Sequence, residues 1–117
     1  MTGEDFVKAI ESAVRDAAIE GTIEILKNPP GRRPRPEVLA QSEWYRSLPQ
    51  QQRELMAGVI RQAVDGAVFG FFCVLDGVRV IEDDPIKGDF ELRYIKGSAK
   101  AISGPDLPML HEMYSAQ

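Results

Sequence analysis

Residues 48–77, LPQQQRELMAGVIRQAVDGAVFGFFCVLDG, set the terms for the rest of the chain. Their apolar side chains come in pairs four residues apart: Leu55-Met56, Val59-Ile60, Ala63-Val64, Ala67-Val68 and Phe71-Phe72, closed by Leu75. A strand would alternate every second residue; this spacing is helical. Four residues turn an α-helix by about 400°, so each pair is rotated roughly 40° from the one before. Over the whole stretch the stripe swings by about 200°, which predicts different neighbours at the two ends. Phe69, Cys73 and Val74 add apolar groups on the remaining sides. The expectation is a single buried helix, enclosed all round near its C-terminus.

The ends of this helix carry the expected signals. Pro49 suits a first turn, where its missing N–H is not needed, and Leu48 before it is held out of the helical region. Gly77 is placed to close the helix in a left-handed conformation. Gly58, Gly66 and Gly70 each cost about 1 kcal/mol relative to Ala, which packing of the bulky residues must offset. Gly66 and Gly70 make a small step, predicting close approach by Ala17, Ala18 and Gly21 of a first helix. One rival reading exists. Asp76-Gly77 between FFCVL and VRVIE is also a hairpin signal, in which the helix would stop near Ala67 and two strands follow.

A chain of 117 residues can bury one core without staples, and residues 1–117 are expected to form a single domain. One cysteine excludes an internal disulfide framework; Cys73 reads as a buried core thiol. With one histidine besides, no zinc site can be assembled, so neither metal nor cofactor is expected. Glu4 and Asp5 stand where a signal peptide would be basic. The longest unbroken apolar run, residues 67–75, falls short of the ~20 residues that span a bilayer. A cytoplasmic location away from membranes is therefore the expectation. The net charge of -4 is segregated. Residues 1–26 carry -4, residues 27–61 carry +4 and residues 62–117 carry -4. A basic middle between acidic ends favours solubility and intramolecular steering, and overall acidity argues against nucleic acid.

Along the chain, Thr2 can cap a first helix, with Asp5 three residues on as an imperfect capping box. Phe6, Ile10, Ala13, Val14, Ala17, Gly21 and Ile25 are expected to share its inner face. Pro29-Pro30 end it. The loop NPPGRRPRP follows, stiff and basic, with Arg32, Arg33 and Arg35. It is either a recognition site for phosphate or carboxylate or a solvated connection lying over the acidic first helix. Pro36 opens a short helix that carries Trp44, Tyr45 and Arg46. Aromatics beside arginines suit a binding surface, whereas Trp44 and Leu48 are expected to close the core. Beyond Gly77, Val78, Val80 and Ile81 suggest a short strand. Phe90, Leu92 and Tyr94 alternate with charges as a half-buried strand expected to rest on the long helix, and Ala99 to Ser103 returns as its partner. Asp106 is placed to cap a last helix, lined inside by Leu107, Leu110, His111 and Tyr114. The resulting class is α+β: helices around one long central helix, then a small antiparallel sheet of two to three strands and a short C-terminal helix.

His111-Glu112 does not extend to H-E-x-x-H, because Ser115 stands where the second histidine is needed. Asp65 is expected on the wetter side of its turn. Nothing nominates a nucleophile for His111, so the reading leans away from an enzyme. The favoured function is a non-catalytic interaction or regulatory protein, an adaptor or an immunity-type inhibitor, with a protein partner or self-association through the Trp44-Tyr45 region or an edge strand. The alternative is anionic-ligand or nucleic-acid binding by Arg32, Arg33, Arg35 and Arg46.

Overall fold

A computed structural model describes residues 1–115. Helix α1 spans Gly3–Ile10 and runs through a π-helical segment, Glu11–Asp16, into α2, Ala17–Lys27. Helix α3 is Pro36–Ser47 and α4 is Gln50–Leu75. Strands β1, Leu92–Lys96, and β2, Ser98–Ser103, form an antiparallel pair turned at Gly97, and α5, Leu110–Met113, follows. The class is α+β, built around the 26-residue α4.

The paired spacing held through residue 75, so the hairpin alternative is excluded. Gly77 takes φ +76° just past the helix end, and the Val78 and Arg79 amides return to the Cys73 carbonyl, closing it. Val78, Val80 and Ile81 form no strand; all three lie in an exposed loop. Among the described residues, no second strand pairs with them. Thr2 and Asp5 make both arms of the capping box, 3.1 and 2.9 Å. Those same bonds hold the Asp5 carboxyl below its ordinary range.

The α1–α2 run packs antiparallel along α4. Phe6, Ile10 and Val14 share a groove with Ala67, Phe71 and Phe72, while Ile23 and Lys27 meet Arg53 and Ala57 farther along. The π-helical segment resets which face turns inward. Phe6 and Ile10 are half-buried, as is Glu11, and the next buried residue is Arg15, five after Ile10, followed at the usual four by Ile19 and the half-buried Ile23. One extra residue per turn is what a π-bulge supplies. As a result Val14, Ala17, Gly21 and Ile25, expected inside, are exposed.

The core lies at the C-terminal end of α4. Val7, Phe72, Leu110 and Tyr114 form it, with Phe6, Ile10, Val68, Leu75 and Met113 packed around. The Phe6 ring meets Phe72 edge-on at 6.2 Å. The sheet joins this core through β2 and α1, and Leu92 and Tyr94 of β1 are not laid on α4, whereas Phe90, ahead of the strand and half-exposed, shares a groove with Val74 of α4. Gly3 makes the approach possible: a Cβ there would sit 2.8 Å from the Ile102 carbonyl oxygen. The glycines singled out in α4 do not have the expected role. A Cβ at Gly66 or Gly21 would meet open space, and Gly70 is covered by the Arg79 guanidinium, not by another backbone. At the far end, the Ser42 hydroxyl donates to the Leu26 carbonyl at 2.7 Å and ties α3 to α2.

Candidate functional site: an uncharged helix face beside a buried polar cluster

The long helix is not enclosed. Leu55 is 67% exposed, Val59 55% and Phe71 63%. Ala63, Gly66 and Ala67 between them are exposed too. Leu55, Val59, Ala63, Ala67 and Phe71 recur at the i, i+4 spacing that puts them on one ridge, with Gly66 beside it. The exposed charge in that span, Arg61, lines a different groove with Asp16, Ile19 and Glu20 of α2. The ridge is thus free of charge from Leu55 to Phe71. Beside it, Phe6, Ile10, Val14, Ala67 and Phe71 line an apolar groove of about 310 Å³. The apolar stripe read from the sequence is real, but α1 and α2 cover only one side of it. By length and composition α4 is also long and apolar enough to cross a membrane, with Arg61 and Asp65 inside the span. The unbroken run 67–75 did not reveal this, because glycines and those two charges interrupt the pattern.

The opposite side of α4 carries polar chemistry. Asp65, expected toward water, is 9% exposed, and Tyr114 donates to its Oδ1 at 2.5 Å. Arg15, 6% exposed, donates to Asp16 at 2.9 Å and to the Ser115 carbonyl at 2.5 Å, with its guanidinium 5.5 Å from the Tyr114 ring centre. The bond to Asp16, above all, raises the Arg15 pKa and keeps the side chain charged. Burial first, then the bond to Asp65, pushes Tyr114 from 10.0 up to about 12, against the opposing pull of Arg15. The folded chain therefore holds the phenolic proton more tightly than the unfolded chain does. That contribution is complete below pH 10 and is lost as pH rises from 10 through about 12. Two pKa units correspond to roughly 2–3 kcal/mol. Tyr114→Phe is expected to lower stability at neutral pH by about 1.5–3 kcal/mol and to flatten the decline above pH 10. Urea unfolding of both proteins across that range measures it; parallel declines would rule the assignment out.

Asp76 and His111 form a second pair, with Asp76 Oδ2 2.7 Å from His111 Nδ1. A carboxylate so placed can orient an imidazole for proton transfer. Here the same carboxylate also accepts from the Leu110 and His111 amides at 2.9 and 2.8 Å, so it acts as the cap of α5. Asp106 does not cap that helix; the residue before its first turn is Met109, which has no side-chain cap. Neither the 310 Å³ groove nor another of about 360 Å³, between Gly3, Ile102, Leu107, Pro108 and Met113, takes in His111, Asp76 or Asp65. Among the described residues, no group of three or more His, Cys, Asp or Glu side chains is gathered as a metal site would need. Cys73 is buried, 6% exposed.

Of the residues singled out around the basic loop, all but Tyr45 are exposed. Arg32, Arg33 and Arg35 are exposed, and Arg35 stands 3.9 Å from Glu37. Arg46 turns back on its own helix, donating to the Ser42 carbonyl at 3.4 Å. Of Trp44 and Tyr45, the buried residue is not the one expected in the core. Trp44 is 52% exposed and does not close the core, while Tyr45 is 4% exposed, under the Arg53 guanidinium at 5.8 Å. Arg53 is fixed there by donating to the Leu48 and Arg46 carbonyls at 2.9 and 2.6 Å. On one helix, adjacent residues point about 100° apart, so only one of the two can face α4. Comparison with protein-family models, with curated proteins and with solved structures finds no match to this chain.

Proposed function

We propose that this chain is a non-catalytic protein-interaction or regulatory module, of the adaptor or immunity/inhibitor type. The observation that carries the reading is the charge-free ridge of α4, with Leu55, Val59 and Phe71 each more than half exposed. Contiguous apolar surface of this kind marks interaction sites in proteins, since each such side chain contributes roughly 1.5–3 kcal/mol once buried. The polar groups best suited to chemistry are engaged in structure: Asp76 caps α5, and Asp65 accepts from Tyr114. In-cell cross-linking of the wild type and of Leu55→Glu/Phe71→Glu, with reconstitution of any complex from purified components, tests the reading. The expected result is a saturable complex, of the chain with itself or with another protein, weakened at least tenfold by the double substitution. Wild type and variant both behaving as isolated chains, in cells and when purified, would refute it.

A further inference from the structure

Resting on that reading and narrowing it, we propose that the α4 ridge is covered by a second copy of this chain, with the two α4 helices crossing antiparallel about Ala63. Three observations lead there. The first is the order of side-chain sizes. Small residues, Ala63 and Ala67 with Gly66 beside them, occupy the middle of the exposed ridge, and large ones, Leu55 and Phe71, its ends. Ridges of the i, i+4 kind cross at about -50°, so two helices touch closely at the crossing and diverge on either side. Small residues fit the crossing, and bulky ones fill the widening gap. A Cβ at Gly66 meets nothing within 4 Å, so the space for a neighbouring helix is open.

The second is self-complementarity. A two-fold interface presents the same patch to itself. An antiparallel two-fold through Ala63 sets Leu55 against the Phe71 of the other copy and Val59 against its Ala67. Both ends then receive a large pair, and the flanks of the crossing receive a medium residue against a small one. No ionised side chain lies on the ridge, so none loses water without a partner.

The third is shape and area. The radius of gyration is 18.4 Å, with extents of 51 × 37 × 27 Å. A compact chain of this length has about 13 Å. The 26-residue α4 alone is about 39 Å long at 1.5 Å per residue, so the molecule is elongated. Leu55 to Phe71 covers about 24 Å at 1.5 Å per residue, and a helix with its side chains is about 10–12 Å across. Two such ridges sum to on the order of 500 Å², and a specific interface of about 1,000 Å² is reached when each copy also covers the groove lined by Phe6, Ile10 and Val14.

Sedimentation of the full chain, with cysteine cross-linking, tests the proposal. The wild type is expected at twice the chain mass, and Ala63→Glu at the chain mass, with an unchanged circular-dichroism spectrum and association weakened at least 100-fold. Because Ala63 would face its own copy, Ala63→Cys is expected to form a disulfide-linked dimer on oxidation, whereas Leu55→Cys is not; this arm does not need Ala63→Glu to fold. Several results would overturn the proposal. One is a wild-type monomer at 100 μM, on the order of the concentrations at which weak dimers form. Others are a dimer indifferent to Ala63→Glu, or self-linking at Leu55 but not at Ala63. Co-flotation of the wild type with phosphatidylcholine vesicles, lost in Ala63→Glu, would assign the ridge to lipid instead. A monomer that still forms a Leu55-dependent complex with another protein would overturn self-pairing and leave the interaction reading standing.

Discussion

Asp76→Ala is expected to lower the unfolding free energy by about 3–5 kcal/mol, the range for breaking a buried charged group away from its partners. The Asp76 side chain is 2% exposed and meets three donors on α5: the Leu110 amide, the His111 amide and His111 Nδ1. A four-residue helix has almost no internal hydrogen bonding, so its first amides depend on an outside acceptor. Alanine leaves both amides buried without that acceptor. The same change frees Leu110, which is 0% exposed in the core, to move with its helix. Asp76→Asn keeps the shape and one acceptor oxygen, and it is expected to recover part of the loss. Urea unfolding of the two variants beside the wild type measures this. Equal stability for Asp76→Ala and wild type would show that α5 is held by its apolar contacts alone.

That cap also marks the limit of what the sequence can reveal. The existence and start of α4 were legible, because paired apolar residues and Pro49 are local signals, whereas at its end Asp76-Gly77 signalled a hairpin as well as a helix stop. Thr2 with Asp5 was legible for the same reason. The cap of α5 was not, since Asp76 lies 34 residues before the amide it accepts from, whereas Asp106 lies in the conventional place. The inner face of the first helix was misread for another reason. Periodicity assumes a constant turn, and the π-helical segment adds one residue, so Arg15 goes inward where Val14 was expected. Arginine tolerates the exchange only because Asp16, the Ser115 carbonyl and the Tyr114 ring receive it. The apolar content of α4 was plain, but which neighbour covers each side is a tertiary property. A stripe cannot tell burial within one chain from burial between two. For the same reason Trp44 was expected in the core, and it is Tyr45 beside it that is buried.

The neighbours Phe71 and Phe72 separate these two kinds of burial. Phe72 is 1% exposed, edge-on to Phe6 at 6.2 Å and tilted against Tyr114 at 5.6 Å. Phe72→Ala removes a ring from the centre of the core, and its expected cost is about 3–5 kcal/mol, transfer and cavity together. Part of that loss is expected to pass to Tyr114, whose ring loses one wall. Phe71 is 63% exposed in the single chain, so Phe71→Ala is expected to change the stability of a monomer by no more than about 0.5 kcal/mol. If the ridge is covered by a second copy, the same substitution lowers the unfolding midpoint in proportion to the association it weakens, and the effect fades on dilution. The Phe72→Ala deficit does not fade, because its contacts lie within one chain. Thermal unfolding of both variants over a hundredfold range of concentration distinguishes them. A Phe71→Ala deficit that is as large as that of Phe72→Ala and independent of concentration would mean that Phe71 belongs to the core of the single chain.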